Sequence, residues 1–559
     1  MNIFVCLKQV RESSDSGAAR ILNPSDACAL EAALRLRECG DRVTVVSMGP
    51  DSVEQMLREA IARGADDAVQ ISAPALAGSD TLATARVLAA AAKKLGPFDM
   101  ILAGRRAVDG ETSLTPFRMA SLLDIPCVTD VCMLDRNGLC QSETSQAVQT
   151  LKADLPAVFC LREGSYPLRL MGILGMRRAK SAVIRRLSLN DLELDASLCG
   201  LAGSPTRVTR VFPLPAGKRH PVFLKSASEL LQILREARIH PPRQTRIPSS
   251  SLQKLRGSVW VICDAPDPPL IARAAALSGG STTCLYTEGD GQTALAAGAD
   301  RAILLDVPPA MRLDGGILAR EITALLVQSA PDAVLFSSTP CMRDIASRIA
   351  TELRTGLTAD CTALEATKDG LLSQIRPTWG GAQLAEILCP DARPQMALVR
   401  PGSFDPPVLR DTDRMPERMV LRPAPSRIAL LSSTSLPSDS PVGADVILAG
   451  GRGLAKEDFF RLRRLAETLH ARVGASRGAV DLGYAPYSCQ IGQTGHTVCP
   501  AVYVAIGISG AVQHILGMHR SGVIAAVNND PKSPIFDYAD YALVGDGSEM
   551  IQKMEEELS

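Results

Sequence analysis

The sequence predicts an α/β fold built from three Rossmann-like, doubly wound domains. Runs rich in Val, Ile and Leu alternate with amphipathic stretches along most of the chain, a pattern typical of parallel sheets covered by helices. A weak internal repeat relates the region that begins with "REAIARGADDAVQIS" to the region that begins with "QTALAAGADRAILLD". A third region, near the C-terminus, places Gly-rich turns after its strands. We therefore expect two similar base domains and one further domain.

Length and charge limit the possible functions. At 559 residues the chain is too long for one hydrophobic core, and roughly three or four domains are expected. Lys+Arg and Asp+Glu each number 60, so no net charge favours binding to nucleic acid or acidic lipid. No apolar run reaches the roughly 18 residues of a membrane span. The opening "MNIFVCLKQV" predicts a strand rather than a signal peptide, so we expect a cytoplasmic protein.

The 15 cysteines do not predict a metal site. No C-x-x-C spacing occurs, and many cysteines lie in apolar runs, where a buried thiol behaves as a small hydrophobic group. Zinc and iron–sulfur sites are therefore not expected.

The first domain starts with the strand "IFVCLKQV", the helix "ACALEAALRLRE" and the strand "RVTVVSMG". A helix that ends at Gly64 and a helix that begins after Asp80 follow, because Gly favours helix ends and Asp favours helix starts. The strand in "FDMILAGRRAVDGETSL" then runs into a polar loop. This loop is the first candidate ligand crevice.

The repeat recurs over 258–400, and two stretches rich in Pro and Ser separate the domains. We expect linkers at 241–257 and 401–443, because such composition disfavours a packed core. The last domain then covers 444–559.

The strands of the last domain all end in small or polar residues. The β-type runs 446–448, 502–506 and 523–527 are each followed by Gly or Asn. Parallel sheets bind ligands at the carboxyl ends of their strands, and small residues there let backbone N–H groups approach an anion. The spacing matches neither G-x-G-x-x-G nor a Walker loop, so the pattern alone indicates a nucleotide or cofactor crevice.

The same region resembles the FAD domain of the electron transfer flavoprotein α subunit, through "GGRGL", "VGASR", "GQTG", "IGISGA" and "DPKSPIF". Residues 258–559 as a whole resemble that subunit, with "TGLTADCTAL", "RPTWGG" and "PQMALVRPG". Residues 1–240 resemble the β subunit, with "FVCLKQV" and "LNPSDACALEAALRL". The family usually divides these parts between two polypeptides. The resemblance therefore implies a fused chain with the β-like half first and 241–257 as the joint.

The resemblance implies a set of FAD-binding residues. It places Arg477 beside the isoalloxazine ring, Thr494 near flavin N5 and His514 at the C2 carbonyl. A further group would line the crevice or hold the ADP moiety: Arg452, Ser476, Gln490, Gln493, Gly507, Ser509, Gly510, Gln513, Asn528, Asp530 and Asp546. His496 and Asn529 stand where the family commonly has Lys, so they lower the positive charge around the cofactor.

In the β-like half the resemblance implies a second nucleotide, which is AMP in ordinary members and a second FAD in electron-bifurcating members. The residues implied for it are Cys6, Asn23, Met48, Asp109, Gly110, Glu111 and Thr112. Leu114 and Pro116 depart from the family's Gln and Gly, which removes two hydrogen-bond donors. AMP is our first prediction; a second FAD and an empty site are the alternatives.

The stretch "YPLRLMGILGMRRAKS" resembles the loop with which the β subunit docks partner dehydrogenases. Leu170 takes the anchor position, near the basic side chains of Arg177, Arg178 and Lys180. An apolar anchor within a basic rim would suit a docking site. The alternative is an ordinary amphipathic helix with a solvated basic face.

Together these features predict an electron carrier without catalytic residues of its own. It would take electrons from acyl-CoA dehydrogenase-type flavoproteins, as in fatty acid β-oxidation, and pass them to another redox protein, or work in reverse. One alternative is an NADH-oxidising bifurcating enzyme with two FAD, and another is a nucleotide sensor without redox chemistry. We also expect residues 440–559 to move as a rigid body on the 401–443 stretch.

Overall fold

The computed structural model describes residues 1–11, 19–144, 147–213, 219–239, 253–378, 383–421, 424–435, 440–441, 444–492, 495–496 and 498–558. Within these ranges, no helix is long and apolar enough to cross a membrane. The same ranges contain no group of three or more His, Cys, Asp or Glu side chains placed to hold a metal ion.

The N-terminal part alternates strands and helices in the predicted order. Its elements are β1 (Asn2–Cys6), β2 (Gln9–Arg11), β3 (Arg20–Leu22), α1 (Pro24–Leu36), β4 (Arg42–Met48), α2 (Val53–Arg63), β5 (Asp67–Ile71), α3 (Thr81–Leu95), β6 (Met100–Gly104), α4 (Thr115–Leu123), β7 (Cys127–Leu134), β8 (Leu139–Glu143), β9 (Ala147–Ala153), β10 (Ala157–Leu161), α5 (Ile173–Ser181) and β11 (Arg185–Leu187). The strands β12 (Arg207–Pro213) and β13 (Val222–Phe223) and the helix α6 (Ala227–Ile239) follow.

The middle part repeats this alternation. Its elements are β14 (Val259–Cys263), α7 (Pro268–Leu277), β15 (Thr282–Tyr286), α8 (Gly291–Ala296), β16 (Arg301–Asp306), α9 (Gly315–Ser329), β17 (Ala333–Ser337), α10 (Pro340–Glu352), β18 (Leu357–Cys361), β19 (Ala363–Ala366), β20 (Leu372–Thr378), β21 (Gln383–Leu388), β22 (Gln395–Val399), β23 (Glu417–Val420) and β24 (Ile428–Ser435).

The two base sheets share one strand order, which confirms the predicted repeat. The first sheet runs β5-β4-β1-β6-β10-β7 and the second runs β16-β15-β14-β17-β22-β18. In each, the chain moves outward from the first strand and then crosses to its other side, as in doubly wound folds. The neighbouring strands in these runs are parallel. The crossing point lies between β1 and β6 in the first sheet and between β14 and β17 in the second.

The 401–443 stretch is partly built into the two base sheets. The strand β23 lengthens the second sheet by pairing with β16 in parallel, and β24 lies next to β9 at the end of the first sheet. Ile428, on β24, is buried in the core of the first sheet. Sequence composition predicted a linker over 401–443. The described part of this stretch instead contains two strands, because β23 and β24 pair with strands that are distant in sequence.

The C-terminal part forms a six-stranded sheet. Its elements are β25 (Val446–Gly450), α11 (Lys456–Thr468), β26 (Arg472–Ala475), α12 (Arg477–Asp481), β27 (Val502–Ile506), α13 (Val512–Ile515), β28 (Val523–Asn528), β29 (Tyr541–Val544) and α14 (Gly547–Leu558). The order is β13-β29-β28-β27-β25-β26 and the paired strands are parallel. This is the third doubly wound domain, so the predicted fold class is confirmed.

The arm that follows the first base domain completes this C-terminal sheet. The strand β13 pairs with β29, and Ala227, Leu230 and Leu231 of α6 are buried in the core formed with β25–β28 and α14. The chain therefore forms two compact units, one with both base sheets and one with the C-terminal sheet, β13 and α6. The sequence predicted that this arm belongs to the first domain, 1–240. Local periodicity does not show which sheet an edge strand joins.

Candidate functional site

The C-terminal sheet opens its crevice where the strand order reverses. From β25 the chain goes to β26 on one side and then to β27 on the other. The turns that follow β25 and β27 therefore lie side by side at the carboxyl edge of the sheet. Such a crossing point is where open α/β sheets bind ligands.

These two turns touch through their backbones. The Gly453 N–H donates to the Gly507 carbonyl over 3.0 Å. A Cβ on Gly451 would lie 2.0 Å from the Gly507 carbonyl oxygen, and Gly507 itself has φ 65°. Only residues without a Cβ allow this approach and this φ at low cost. The glycines thus let the two turns pack directly against each other at the edge of the crevice.

Ser476 and Arg477 open α12 at the neighbouring strand end. The Ser476 Oγ accepts the Ala479 N–H at 3.4 Å, as an N-cap. Arg477 is the first residue of the helix, and its guanidinium reaches Asp481 at 3.4 Å with more than half of its side chain exposed. A cation that cannot deprotonate therefore follows the carboxyl end of β26, and its place beside the isoalloxazine ring stays a prediction.

The loop after α12 returns to the same strand end. The Ile491 N–H donates to the Ala475 carbonyl at 2.8 Å, just before the Ser476 cap. Gln490 is buried, and its carbonyl accepts the His496 N–H at 2.7 Å. Ile491 is thus tied to the carboxyl end of β26, and His496 is tied to Gln490 beside it. The two predicted members of this loop, Gln493 and Thr494, lie outside the described residues.

His514 has both ring nitrogens engaged by the protein. Its Nδ1 lies 3.1 Å from the Ile491 carbonyl oxygen and its Nε2 lies 2.9 Å from the Tyr503 hydroxyl. A carbonyl can only accept, so Nδ1 donates and Nε2 accepts the Tyr503 O–H. Burial lowers the pKa of His514 to about 4, so the ring is neutral near pH 7. The predicted contact to the flavin C2 carbonyl would have to replace one of these two bonds.

The remaining predicted residues surround the same edge. The Asn528 amide donates to the Ile508 carbonyl at 3.0 Å and its oxygen accepts the Asp530 N–H at 2.9 Å. Asp546 accepts the Glu549 N–H at the start of α14. Gly510 has φ 86° and packs against the 534–535 backbone. Of the predicted residues around this edge, Arg452, Ser509, Gln513, Asp530 and Asp546 are exposed.

Three observations test whether these residues fit FAD. The contacting glycine turns lie at the carboxyl edge of the sheet, where open α/β sheets bind anionic cofactors. Arg477 supplies a positive charge at the edge of the crevice. His496 Nε2 is buried without a hydrogen-bond partner among the described residues, which is unusual for a buried polar atom. The residues therefore fit a large anionic cofactor that also carries polar groups.

The first base sheet has an equivalent crevice, at the carboxyl ends of β1, β4 and β6. Cys6 and Met48 end β1 and β4, and burial raises the pKa of the Cys6 thiol well above its usual range. Asn23 precedes α1, and its amide donates to the Arg106 carbonyl at 2.9 Å while its oxygen accepts the Val108 N–H at 3.2 Å. The predicted residues of this crevice therefore lie together and brace the loop that follows β6.

That loop carries the other four predicted residues. Asp109 pairs with Lys8 at 2.7 Å and also accepts the Gly110 N–H. Glu111 is buried with φ 51°, and the Thr112 carbonyl accepts a hydrogen bond from Arg343 of the second base domain at 2.8 Å. The loop is therefore held from both base domains.

Leu114, the departure from the family pattern, points away from the crevice. It is fully buried in the hydrophobic core around α9 and α10 of the second base domain. An amide side chain would be costly there without a partner. Leu in place of the family's Gln therefore removes a polar group from the loop and adds an apolar side chain that packs in the core of the second base domain.

Asp26 is a residue of this crevice that sequence reasoning missed. Its two carboxylate oxygens accept the Lys8 N–H at 2.8 Å and the Gly104 N–H at 3.1 Å, so it joins the ends of β1 and β6. Burial raises the pKa of this carboxyl to about 7, although these bonds and Lys8 act in the opposite direction. The feature of the sequence that could have indicated Asp26 is its position as an acidic residue in the first turn of a helix that starts at Pro24.

The segment predicted to dock partners forms α5 and the turn before it. Leu170, Ile173 and Leu174 expose 93%, 75% and 79% of their surface, far more than large apolar residues usually do in a helix that packs on a core. We call these three residues the apolar surface of α5. Exposed basic residues flank them, namely Arg177, Arg178 and Lys180.

Reciprocal hydrogen bonds hold α5 against α2. Arg58 of α2 donates to the carbonyls of Ala179 and Ala182 at the end of α5, at 2.7 and 3.1 Å. Arg178 of α5 donates to the carbonyls of Ile61 and Ala65 at the end of α2, at 2.7 and 2.8 Å. Each arginine thus satisfies carbonyls that a helix end leaves open. The apolar surface is therefore presented on a fixed helix.

The titration of Asp26 makes the stability of the base unit depend on pH. The folded protein keeps the Asp26 proton up to about pH 7, whereas its ordinary value is 3.8. Unfolded chains release that proton at a lower pH. The contribution of Asp26 to the unfolding free energy therefore falls as the pH rises. We expect a loss of about 2–3 kcal/mol between pH 5 and 8.

Asp26→Asn should lose less of its unfolding free energy than the wild type between these two pH values. Urea denaturation at pH 5 and pH 8 measures the difference. Asp99→Asn is the control, because Asp99 also accepts a backbone N–H, that of Asn2, but lies at the surface. Equal pH slopes for the wild type and Asp26→Asn would contradict the assignment.

Family models match most of the chain. The electron transfer flavoprotein domain matches twice, over residues 13–192 and 267–424. The electron transfer flavoprotein FAD-binding domain matches residues 442–519, which include both contacting glycine turns of the C-terminal crevice.

Known proteins are similar to about half of the chain. The electron transfer flavoprotein subunit alpha of Thermoanaerobacterium thermosaccharolyticum is 41% identical over 270 residues, which are 47% of this chain and 81% of that protein. Protein FixB of Rhizobium meliloti is 38% identical over 47% of this chain and 76% of its own length. The acryloyl-CoA reductase electron transfer subunit beta of Anaerotignum propionicum is 34% identical over 46% of this chain and 79% of that protein.

These relatives correspond to the C-terminal, α-like part. The first match of the flavoprotein domain lies in front of that part on the same chain, which agrees with the predicted fusion of a β-like half and an α-like half. The match of the FAD-binding domain agrees with the fit of the C-terminal crevice to FAD. The chain belongs to the electron transfer flavoprotein family.

Proposed function

We propose that this protein carries electrons between a flavin dehydrogenase of the acyl-CoA dehydrogenase type and a second redox protein. The observation that supports this most directly is the pair of contacting glycine turns at the crossing point of the C-terminal sheet. FAD held there would supply the one- and two-electron chemistry. The protein's own part is to bind the cofactor, to set the charge around it and to bring partners close.

The residues proposed to hold FAD fall into two groups. The turns after β25 and β27, with Arg452, Ser509 and Gly510, offer backbone N–H groups and polar side chains to the phosphates. Ser476 and Arg477 at α12, and Gln490 in the loop behind them, belong to the flavin end. This assignment extends the family resemblance with the observed positions of these residues at one edge of the sheet.

Arg477 is proposed to favour reduction of the flavin. Reduction adds negative charge, and a fixed cation nearby stabilises that charge. The guanidinium stays protonated at all relevant pH values. Because more than half of the side chain is exposed, solvent screens part of this effect.

Arg477→Ala should lower the flavin midpoint potential by roughly 20–40 mV, which corresponds to about 1–2 kcal/mol for a two-electron couple. A redox titration of the FAD-loaded variant measures the shift. Arg477→Lys, which keeps a positive charge, should lie closer to the wild type. An unchanged or raised potential in Arg477→Ala would exclude this role.

We infer AMP as the nucleotide of the first base domain. The crevice at β1 and β6 has the same crossing-point geometry as the FAD crevice. Asn23 bonds to Val108, and Lys8 and Arg343 bond to Asp109 and Thr112, so the loop 108–112 is braced from three sides. Asp26 and Glu111 add carboxyl groups close by, so the site is less suited to several phosphates than the C-terminal one. The single phosphate of AMP fits this charge pattern better than the diphosphate of FAD.

We further propose the apolar surface of α5 as the docking site for the dehydrogenase. Helix α5 is fixed by the Arg58 and Arg178 bonds, so the exposed leucines lose little freedom on binding. A Cβ on Gly175 would lie 2.0 Å from the Ala62 carbonyl oxygen, so α5 packs directly on the backbone of α2. The basic rim predicts a partner groove that is apolar at its centre and acidic at its edge.

Leu170→Ala should slow electron transfer from a reduced acyl-CoA dehydrogenase by roughly 5- to 30-fold at subsaturating concentrations. Truncating a central anchor costs about 1–2 kcal/mol of docking energy. Stopped-flow reduction of the bound flavin measures the rate, and the flavin spectrum should stay unchanged. Leu409→Ala, at another exposed leucine, is the control. A rate equal to that of the wild type would remove Leu170 from the docking site.

The second candidate is an NADH-oxidising, electron-bifurcating flavoprotein. What favours it is the second crevice, which has the strand order and the loop of a nucleotide site and could hold a second FAD. It differs from the carrier in its electron donor, because NADH would reduce the protein directly.

NADH should leave the flavin of the carrier oxidised under anaerobic conditions, whereas a reduced acyl-CoA dehydrogenase should bleach it within seconds. Flavin absorbance recorded with each donor separates the two functions. Rapid bleaching by NADH alone would support the bifurcating function and contradict the proposed one.

A further inference from the structure

The ring of His496 carries a polar atom that the described residues leave unsatisfied. Its Nε2 is buried and has no hydrogen-bond partner among them. The Ser488 backbone lies near the ring and favours its charged form, but burial outweighs this and lowers the pKa of His496. The ring is therefore neutral near pH 7, with one nitrogen that donates and one that accepts.

The backbone around His496 places it at the cofactor edge of the C-terminal sheet. Its N–H donates to the Gln490 carbonyl, and its own carbonyl accepts the Gly492 N–H at 3.0 Å. The neighbouring Ile491 N–H is bound to Ala475, the last residue of β26. The backbone of His496 is thus bonded to Gln490 and Gly492, on either side of Ile491, whose partner Ala475 directly precedes Ser476 and Arg477.

Two other histidines lie near this edge, and the ring of His514 differs from that of His496 in its hydrogen bonds. Both ring nitrogens of His514 are satisfied, by Ile491 and by Tyr503. His519 lies after α13, and its Nδ1 contacts the Ile515 carbonyl at 3.2 Å. Of these three rings, His496 is the one with a buried nitrogen that still needs a partner.

We propose that His496 Nε2 forms a hydrogen bond with a polar group of the bound FAD. The observation behind this is a buried ring nitrogen without a partner among the described residues, on a residue whose backbone is tied to Gln490. A neutral histidine can offer a donor or an acceptor at this nitrogen, whereas the Lys that is common in the family at this position can only donate. A ribityl hydroxyl of FAD, which both donates and accepts, matches either form of the ring. The inference rests on FAD binding in the C-terminal crevice.

Nitrogen-15 NMR of the histidine rings tests this directly. The chain has six histidines, and the spectrum of His496→Gln assigns the His496 signals. Adding FAD to the FAD-free full-length protein should shift the His496 Nε2 resonance, and His519 should stay in place. A His496 resonance that does not move at saturating FAD would overturn the proposal.

Measurements of FAD affinity give a second, independent test of the proposal. His496→Phe keeps a ring of similar size but removes the hydrogen-bonding nitrogen, and it should weaken FAD binding by roughly two- to tenfold. His496→Gln, whose amide can both donate and accept, should recover part of that loss, and His519→Phe should bind FAD like the wild type. Melting curves of the FAD-free variants show whether each one folds. If His496→Phe does not fold, the NMR result on the wild type decides.

The outcomes separate this inference from the proposed function. If the wild type binds FAD while His496 neither shifts nor affects affinity, only the role of His496 is wrong. If the wild type binds no FAD at all, both the role of His496 and the proposed carrier function are overturned.

Discussion

The backbone contact between the turn after β25 and the turn after β27 is the constraint on which the cofactor site depends. Gly453 donates to the Gly507 carbonyl, and the absence of a Cβ on Gly451 lets the two turns meet. Because the strands on either side are parallel and adjacent, both turns must open toward the same edge. A side chain at Gly451 would collide with the Gly507 carbonyl of the neighbouring turn and would push the two turns apart.

The crevices at the crossing points of the first base sheet and of the C-terminal sheet share a topology but differ in charge. At the C-terminal one, the exposed side chain of Arg477 supplies a positive charge. At the N-terminal one, Asp26 and Glu111 are buried beside the strand ends. Ionisation of Asp26 near neutral pH would add negative charge under a bound phosphate. This contrast is the physical reason for proposing the large cofactor at one crevice and a smaller nucleotide at the other.

Sequence periodicity predicted the three sheets well, because each strand and helix carries its own apolar pattern. The exposed anchor Leu170 came instead from the resemblance to the docking loop of the β subunit, because the residue pattern alone is also that of an ordinary amphipathic helix. Periodicity could not predict that β13 and β24 join sheets formed by distant parts of the chain. Those pairings depend on long-range contacts that a local pattern does not encode.

Side-chain partners were likewise beyond the reach of the sequence. The GISGA context indicates that His514 lies at the cofactor edge, but not that Tyr503, eleven residues earlier on β27, takes up one of its nitrogens. Asp26 was missed because an acid in the first turn of a helix is usually a solvated partner of the helix dipole. Only the fold shows that this acid is buried between β1 and β6.

The amount of each nucleotide in the purified protein tests the central claim most directly. Denaturation releases bound cofactors, chromatography identifies them, and the absorbance spectrum of the intact protein gives the flavin content per chain. One FAD and one AMP per 559-residue chain is the result the carrier function predicts. Two FAD per chain, or a colourless protein that takes up no flavin, would contradict it.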